Sequence, residues 1–278
     1  MPGRILVLTA NGNVGRPLVR ALLAKGEDVR AATRAGAPVE GAPGVAFDFD
    51  DPSTYPAAFE GVDRVFALAP TGTLEVTARL LPVVEAAAAR KAKVVLMTAL
   101  GVDADEAIPY RQVERALERS GTPFVILRPN WFADNFHTFW KAGIDRGQIA
   151  VPAADGKSGF IDARDIAESA AAALTTDRFD GRAFNLTGPQ ALGYGEAAAI
   201  LSQVTGKPIA YTPLSDEAFI SILTGTGMPP AYAAFMAWLF HPVREGWTAR
   251  VTGDVETLTG HAPRSLETYA RDNAARLA

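Results

Sequence analysis

The stretch "ILVLTANGNVGR" (residues 5–16) decides how the chain is read. Four apolar residues run into a loop that carries Gly12 and Gly15, with Thr9 three positions before Gly12. A strand that turns directly into a helix leaves backbone N–H groups unpaired at the helix start, where the helix dipole is positive. An anionic group is favoured at such a place. Gly12 removes a Cβ from the path of that group, and Gly15 lets the helix lie close to the strand. Asn11 tolerates the turn conformations that Gly and Asn favour. Phosphate-cradling loops of this kind usually carry glycine where Thr9 stands. Thr9 ends the strand, where a β-branched residue is comfortable, so the loop keeps its shape if residue 9 stays in β geometry.

Working outward, strand patterns recur at 29–33, 45–49, 64–69, 93–98 and 123–128. Helical spacing of apolar residues fills 14–25, 52–60, 73–90 and 108–120. Gly26 and Gly121 are placed to stop two of these helices. Alternation at this spacing predicts an α/β fold, a doubly wound Rossmann-type parallel sheet. Runs such as "VVLM" (94–97) are apolar on both faces, as buried parallel strands must be.

After Arg128 the rhythm changes. "PNWFADNFHTFW" (129–140) is densely aromatic, and helical spacing would put Phe132, Phe136 and Phe139 or Trp140 on one stripe. Residues 150–159 read as a loop rich in Gly and small residues. "FIDARDIAESAAAAL" (160–174) reads as a short strand and then a helix, and 183–188 as another strand. From 189 the chain is mainly helical, with a strand candidate at "PIAYTP" (208–213). The expected organisation is a dinucleotide-binding domain over 1–188 and a smaller, mainly helical lobe over 189–278. Segment 129–158 contributes to the substrate side.

The end of the second strand bears on which dinucleotide fits. An NAD site places Asp or Glu there to bind the ribose 2′-OH. Here "VRAAT" is followed by Arg34, while Glu27 and Asp28 sit at the opposite end. A guanidinium at that place suits a 2′-phosphate. NADP(H) is the expected cofactor.

Composition narrows the rest. The 278 residues carry 27 Lys and Arg against 31 Asp and Glu, a mild net charge of -4 with no basic block, which argues against nucleic acid as a partner. No cysteine is present, so disulfides and thiolate chemistry are excluded. His137, His241 and His261 have no i, i+4 pairing, so no metal site is expected. No G-x-S-x-G is present. The first strand pattern begins at Ile5, too early for a signal segment, and the apolar run 231–240 is far short of the roughly 20 residues that span a bilayer. The expectation is a cytoplasmic protein with no membrane partner. Nothing in the sequence fixes an oligomeric state.

The chain resembles the NmrA-like group of atypical short-chain dehydrogenase/reductases. The resemblance rests on "LTANGNVGRPLVRALLAKGEDVRAATR" (8–34), "FDFDDPSTYPAAFEGVDRVFALAP" (47–70), "VVLMTALGV" (94–102) and "VERALERSGTPFVILRPNWFADNF" (113–136). It continues through "FIDARDIAESAAAALT" (160–175), "FNLTGPQALGYGE" (184–196) and "VTGDVETLTGHAPRSLETYARD" (251–272). The group includes NADPH-dependent quinone reductases, relatives acting on ergot-type alkaloid iminium intermediates, and redox-sensing regulators that bind the cofactor without known turnover. The resemblance implies that Asn11, Gly12, Asn13, Val14 and Gly15 hold the pyrophosphate and that Arg34 faces the 2′-phosphate. It puts Asp48 and Phe49 at the adenine and Ala69 and Pro70 along the cofactor path. Thr98 and Ala99 stand where the parent superfamily has its serine, and Pro129, Asn130, Trp131 and Phe132 border the nicotinamide.

One departure constrains the chemistry. The parent superfamily uses Tyr-x-x-x-Lys, in which the lysine lowers the tyrosine pKa. Four residues after the six tyrosines come Phe59, Glu114, Ala198, Ser215, Met236 and Asn273, so no such relay exists. Tyr110 is the nearest substitute, with Glu114 in the lysine's place, where a carboxylate would raise a tyrosine pKa. Reduction of a quinone or iminium needs little proton assistance. The sequence therefore points to an NADPH-dependent oxidoreductase acting on a small apolar or aromatic, conjugated acceptor. Trp131, Phe132, Phe136 and Trp140 are its candidate wall and 228–240 a further wall or lid; His137 is expected to be structural. The alternative expectation is a non-catalytic NADP(H)-sensing regulator acting through a protein partner.

Overall fold

A computed structural model of the protein describes residues 3–278. Strands and helices alternate as β1 (Arg4–Val7), α1 (Gly15–Ala24), β2 (Val29–Thr33), β3 (Gly44–Ala46), α2 (Tyr55–Ala58), β4 (Val62–Ala67), α3 (Val76–Ala88), β5 (Lys93–Met97), α4 (Pro109–Arg119) and β6 (Phe124–Pro129). Next come α5 (Lys141–Ile144), β7 (Gln148–Val151), β8 (Lys157–Ser158), α6 (Ala163–Leu174), β9 (Arg182–Leu186), β10 (Leu192–Gly193), α7 (Tyr194–Thr205) and β11 (Ala210–Pro213). The chain ends in α8 (Asp216–Gly225), α9 (Pro230–Trp238), α10 (His241–Arg244), α11 (Asp254–Thr259), α12 (Leu266–Asp272) and α13 (Ala274–Leu277).

Two compact units emerge. The first runs to Pro129 and takes in Ala163–Leu186 and Asp254–His261; the second holds Asn130–Asp162, Thr187–Gly253 and Ala262–Ala278. A single cut at residue 188 therefore does not describe the chain. Helix α6 and strand β9 return to the sheet after an excursion of the chain, and α11 returns to pack on α6.

The first unit is a parallel sheet in the order β3-β2-β1-β4-β5-β6-β9. All five residues of β5 are buried, because helices cover both faces of a sheet of this kind. On one face Leu6, Leu8, Val65, Val94, Leu96 and Ile126 meet Leu80 and Val83 of α3 and Val113 and Leu117 of α4. Each fully buried leucine contributes about 1.5–3 kcal/mol. Helix α1 buries Leu18, Val19 and Leu22 and packs on α6. Gly26 ends the turn after α1 at φ +76°, a left-handed conformation that glycine adopts without a Cβ penalty.

The second unit is built on an aromatic core of Phe136, Trp140, Phe160, Tyr194 and Phe240. Strands β7 and β11 pair in parallel and β8 and β10 antiparallel. The stretch 150–159, read as a loop, thus contributes the end of β7 and all of β8. The aromatic segment forms a short 3₁₀ helix over Ala133–His137 and not a continuous α-helix. Phe136 and Trp140 point inward, while Phe139 is exposed. No helix among the described residues is long and apolar enough to cross a membrane.

Candidate functional site

The sheet order reverses at β1, whose neighbours are β2 and β4. Ligands of open α/β sheets bind outside the carboxyl ends of the strands at such a switch point. The glycine loop leaves β1 there and is tied to both neighbours: Leu8 N–H donates to Phe66 O at 3.1 Å, and Ala10 N–H to Ala32 O at 3.1 Å. Gly12 N–H closes the turn onto Thr9 O at 2.9 Å. A Cβ on Gly15 would stand 2.3 Å from Thr9 O and 2.7 Å from Ala10 Cα, so only glycine lets α1 start so close to the strand.

Thr9 corrects the sequence reading. Its φ is +50°, the left-handed region, and not β geometry. A β-branched residue there is strained, and glycine would not be. The turn that puts Thr9 O over Gly12 N–H imposes this conformation. Thr9 Oγ1 meanwhile donates to Leu8 O at 2.8 Å.

The amino end of α1 is open. Its N-cap, Val14, makes no side-chain cap, and no acidic residue stands in the first turn. Asn11 and Asn13 are exposed, and Asn11 O accepts from Arg16 Nε at 3.1 Å. At the end of β2, Arg34 is exposed and has no hydrogen-bond or ion-pair partner among the described residues. The turn that carries it is fixed by Ala37 N–H donating to Thr33 Oγ1 at 3.1 Å. Beyond β3, Asp48 accepts from Asp50 N–H at 3.0 Å, and half-buried Phe49 lies edge-on to Phe47. Beyond β4, Ala69 is buried and Pro70 half-buried.

The carboxyl ends of β5 and β6 hold a buried ionic network. Glu114 of α4 is completely buried. Its Oε1 accepts from Thr98 Oγ1 at 2.8 Å and Arg128 Nε at 2.9 Å. Its Oε2 accepts from Arg128 Nη2 at 2.7 Å and Arg111 Nη1 at 2.9 Å. Arg128 Nη1 reaches Asp103 at 2.5 Å. Glu114 is thus the counter-ion of two guanidiniums and not an isolated charge beside Tyr110, which is half-buried against the sheet core. Ala99 is half-buried, and Pro129 closes β6.

Within the second unit, Asn130 Nδ2 donates to Thr248 O at 2.7 Å and its Oδ1 accepts Trp131 N–H at 2.8 Å. At 5% exposure its side chain fixes the chain after β6. Phe136 is fully buried and Trp140 nearly so, each stacked into the aromatic core, which removes both from the candidate substrate wall. Trp131 and Phe132 are half-buried. His137 Nδ1 contacts the Tyr269 hydroxyl, and burial, more than the Arg276 charge, lowers its pKa.

Comparison with known proteins fixes the family. The NmrA-like family profile matches residues 1–266. This chain is a member of the NmrA-like family. It is 35% identical over 227 residues to prestalk A differentiation protein A of Dictyostelium discoideum, covering 81% of this chain and 75% of the relative. It is 31% identical to an NAD(P)H azoreductase of Xenophilus azovorans, covering 98% of both chains. Among solved structures, an NADPH-dependent quinone oxidoreductase of Escherichia coli, complexed with NADPH, superposes with a TM-score of 0.84. That structure shares 22% identity and covers 96% of this chain and 99% of its own, a likeness of fold.

In this NmrA-like chain the sequence reading missed Arg128 and Arg111 altogether. A signal was present: Glu114 lies between Val113 and Leu117 on the buried face of α4, and Arg128 closes an otherwise apolar strand. Charges in such places are kept only with partners.

Proposed function

We propose that the protein is an NADP(H)-dependent oxidoreductase that reduces a small, apolar, conjugated acceptor of quinone-like or iminium-like chemistry. The observation that carries this reading is the uncapped amino end of α1 at the switch point, with Gly15 pressed on Thr9 O. That cradle fits a pyrophosphate: backbone N–H groups and the helix dipole favour the anion, and no acidic side chain competes. Asn11 to Gly15 would hold it. Arg34, with no partner among the described residues, would take the 2′-phosphate, with Asp48 and Phe49 at the adenine. Ala69, Pro70, Thr98, Ala99 and Pro129 would line the remaining path. When bound, the dinucleotide supplies a hydride.

The chain's own residues bind and orient. None supplies a Tyr-Lys proton relay, and Glu114 is occupied by Arg128 and Arg111. Acceptors that are already electron-poor suit such a site. The activities of the azoreductase and the quinone oxidoreductase described above support it.

The test is NADPH oxidation with a panel of quinones and azo dyes, beside titrations of NADPH, NADP⁺ and NADH. Turnover with at least one conjugated acceptor and preference for NADPH are expected. Tight binding without turnover on any acceptor would favour the regulator instead, and absence of binding would overturn the cofactor assignment.

A further inference from the structure

We propose that Thr98 is a hydroxyl locked as an acceptor by Glu114, and that it recognises the carboxamide N–H₂ at the nicotinamide end of the dinucleotide. The inference rests on the cofactor reading above and adds what that site selects.

The polarity follows from counting hydrogens. Arginine carries only donors and keeps its proton. Both oxygens of Glu114 accept from arginine, Oε1 from Arg128 Nε and Oε2 from Arg128 Nη2 and Arg111 Nη1. Glu114 therefore has no hydrogen to give, and the one shared at 2.8 Å with Thr98 Oγ1 is the threonine's own. A hydroxyl has one hydrogen and two lone pairs. With the hydrogen committed, Thr98 has only lone pairs for anything else it meets. Complete burial of Glu114 removes water as a competing partner.

The position follows from the sheet. Thr98 directly follows β5, its own N–H held by Leu127 O at 2.9 Å, and it is 5% exposed. In a doubly wound sheet the two halves take the two nucleotides. Arg34 at the end of β2 puts the adenosine on the β1–β3 half, which leaves β4–β6 to the nicotinamide. A carboxamide N–H₂ is a donor only, so an acceptor-locked hydroxyl discriminates in its favour. A substrate carbonyl oxygen would meet lone pairs and gain nothing. Thr98 thus cannot polarise a carbonyl as a free hydroxyl would, which agrees with acceptors that need no such help. Glu114 and Arg128 are positioning residues that act through Thr98.

The experiment measures binding by the whole protein, not turnover. Affinities are compared for NADP⁺ and its acetylpyridine analogue, in which a methyl ketone replaces the carboxamide and the N–H₂ is lost. A hydrogen bond of ordinary strength makes NADP⁺ bind about three- to tenfold more tightly to the wild type. Thr98→Ser, which keeps the hydroxyl, retains that ratio, while Thr98→Val, nearly isosteric, brings it close to one. A ratio unchanged by Thr98→Val, or near one in the wild type, overturns the inference while leaving the cofactor reading intact. Failure of the wild type to bind either dinucleotide overturns both.

Discussion

The carbonyl oxygen of Thr9 lies 2.3 Å from where a Cβ on Gly15 would stand, and 3.2 Å from the same point on Gly12. The two glycines therefore answer to different demands. Gly15→Ala drives a methyl into backbone that cannot yield cheaply, with Ala10 Cα 2.7 Å away as well. It should cost about 1–3 kcal/mol of stability, read from urea unfolding. Gly12 has one neighbour to displace by a few tenths of an ångström. Gly12→Val should keep a folded protein and lose dinucleotide binding, because its side chain stands where the phosphates approach. Equal stability of the two variants, with binding kept by Gly12→Val, would show the loop to be a plain turn.

Thr9 itself should be replaceable to advantage. Its left-handed conformation costs about 1–2 kcal/mol in a residue with a Cβ, and glycine loses about 0.5–1 kcal/mol through the entropy of the unfolded chain. Thr9→Gly should therefore stabilise the protein by about 0.5–1 kcal/mol, measured by thermal unfolding without ligand. Destabilisation would mean that the threonine hydroxyl on Leu8 O outweighs the relief of strain.

These two residues mark how far the sequence could be read. The position of the loop was legible, because strand and helix periods change there. The sign of φ at Thr9 was not, because it depends on how the turn onto Gly12 N–H closes between Leu8 and Ala10, which β4 and β2 hold through contacts distant in sequence. The six strands of the first half were legible from apolar, β-branched runs. The pair β8 and β10 spans two residues each, too few for any period to show. The aromatic segment misled through its spacing: Phe136 and Trp140 do face inward, but from a 3₁₀ turn, and as core. The Glu114 network escaped because its partner Arg128 lies on another element.

Arg34 should set the cofactor preference. It is exposed and without a partner among the described residues, so its removal disturbs no contact there. A hydrogen bond to a charged group contributes about 1.5–3 kcal/mol. Arg34→Ala should weaken NADPH about ten- to a hundredfold and leave NADH nearly unchanged, by fluorescence titration. Equal losses for both cofactors would remove the 2′-phosphate assignment.

Glu114 should matter to stability more than any exposed carboxylate. Removing it strands the Arg128 guanidinium, itself 6% exposed, without its bidentate partner. Breaking a buried pair from one side costs about 3–5 kcal/mol. Glu114→Ala should lose about that much in chemical denaturation. The double variant Glu114→Leu with Arg128→Met should lose clearly less than the two single changes added together, because no buried charge is left alone. Simple additivity would show that the pair is not coupled.

Turnover should not depend on a tyrosine acid. Tyr110 is the nearest substitute for the superfamily's tyrosine, but the residue one helical turn on is Glu114, held by Arg128 and Arg111 and unable to act as the missing lysine. Tyr110 packs, half-buried, against the sheet core. With an electron-poor acceptor, proton delivery adds little, and the usual 10²–10⁴-fold contribution of a positioned acid is not there to lose. Tyr110→Phe keeps the ring and removes only the hydroxyl, so it separates the proton from the packing. We expect kcat with a quinone acceptor to fall by less than about tenfold, or about 1.4 kcal/mol of barrier. A thousandfold drop with cofactor affinity unchanged would identify Tyr110 as the acid and overturn the argument from the missing lysine.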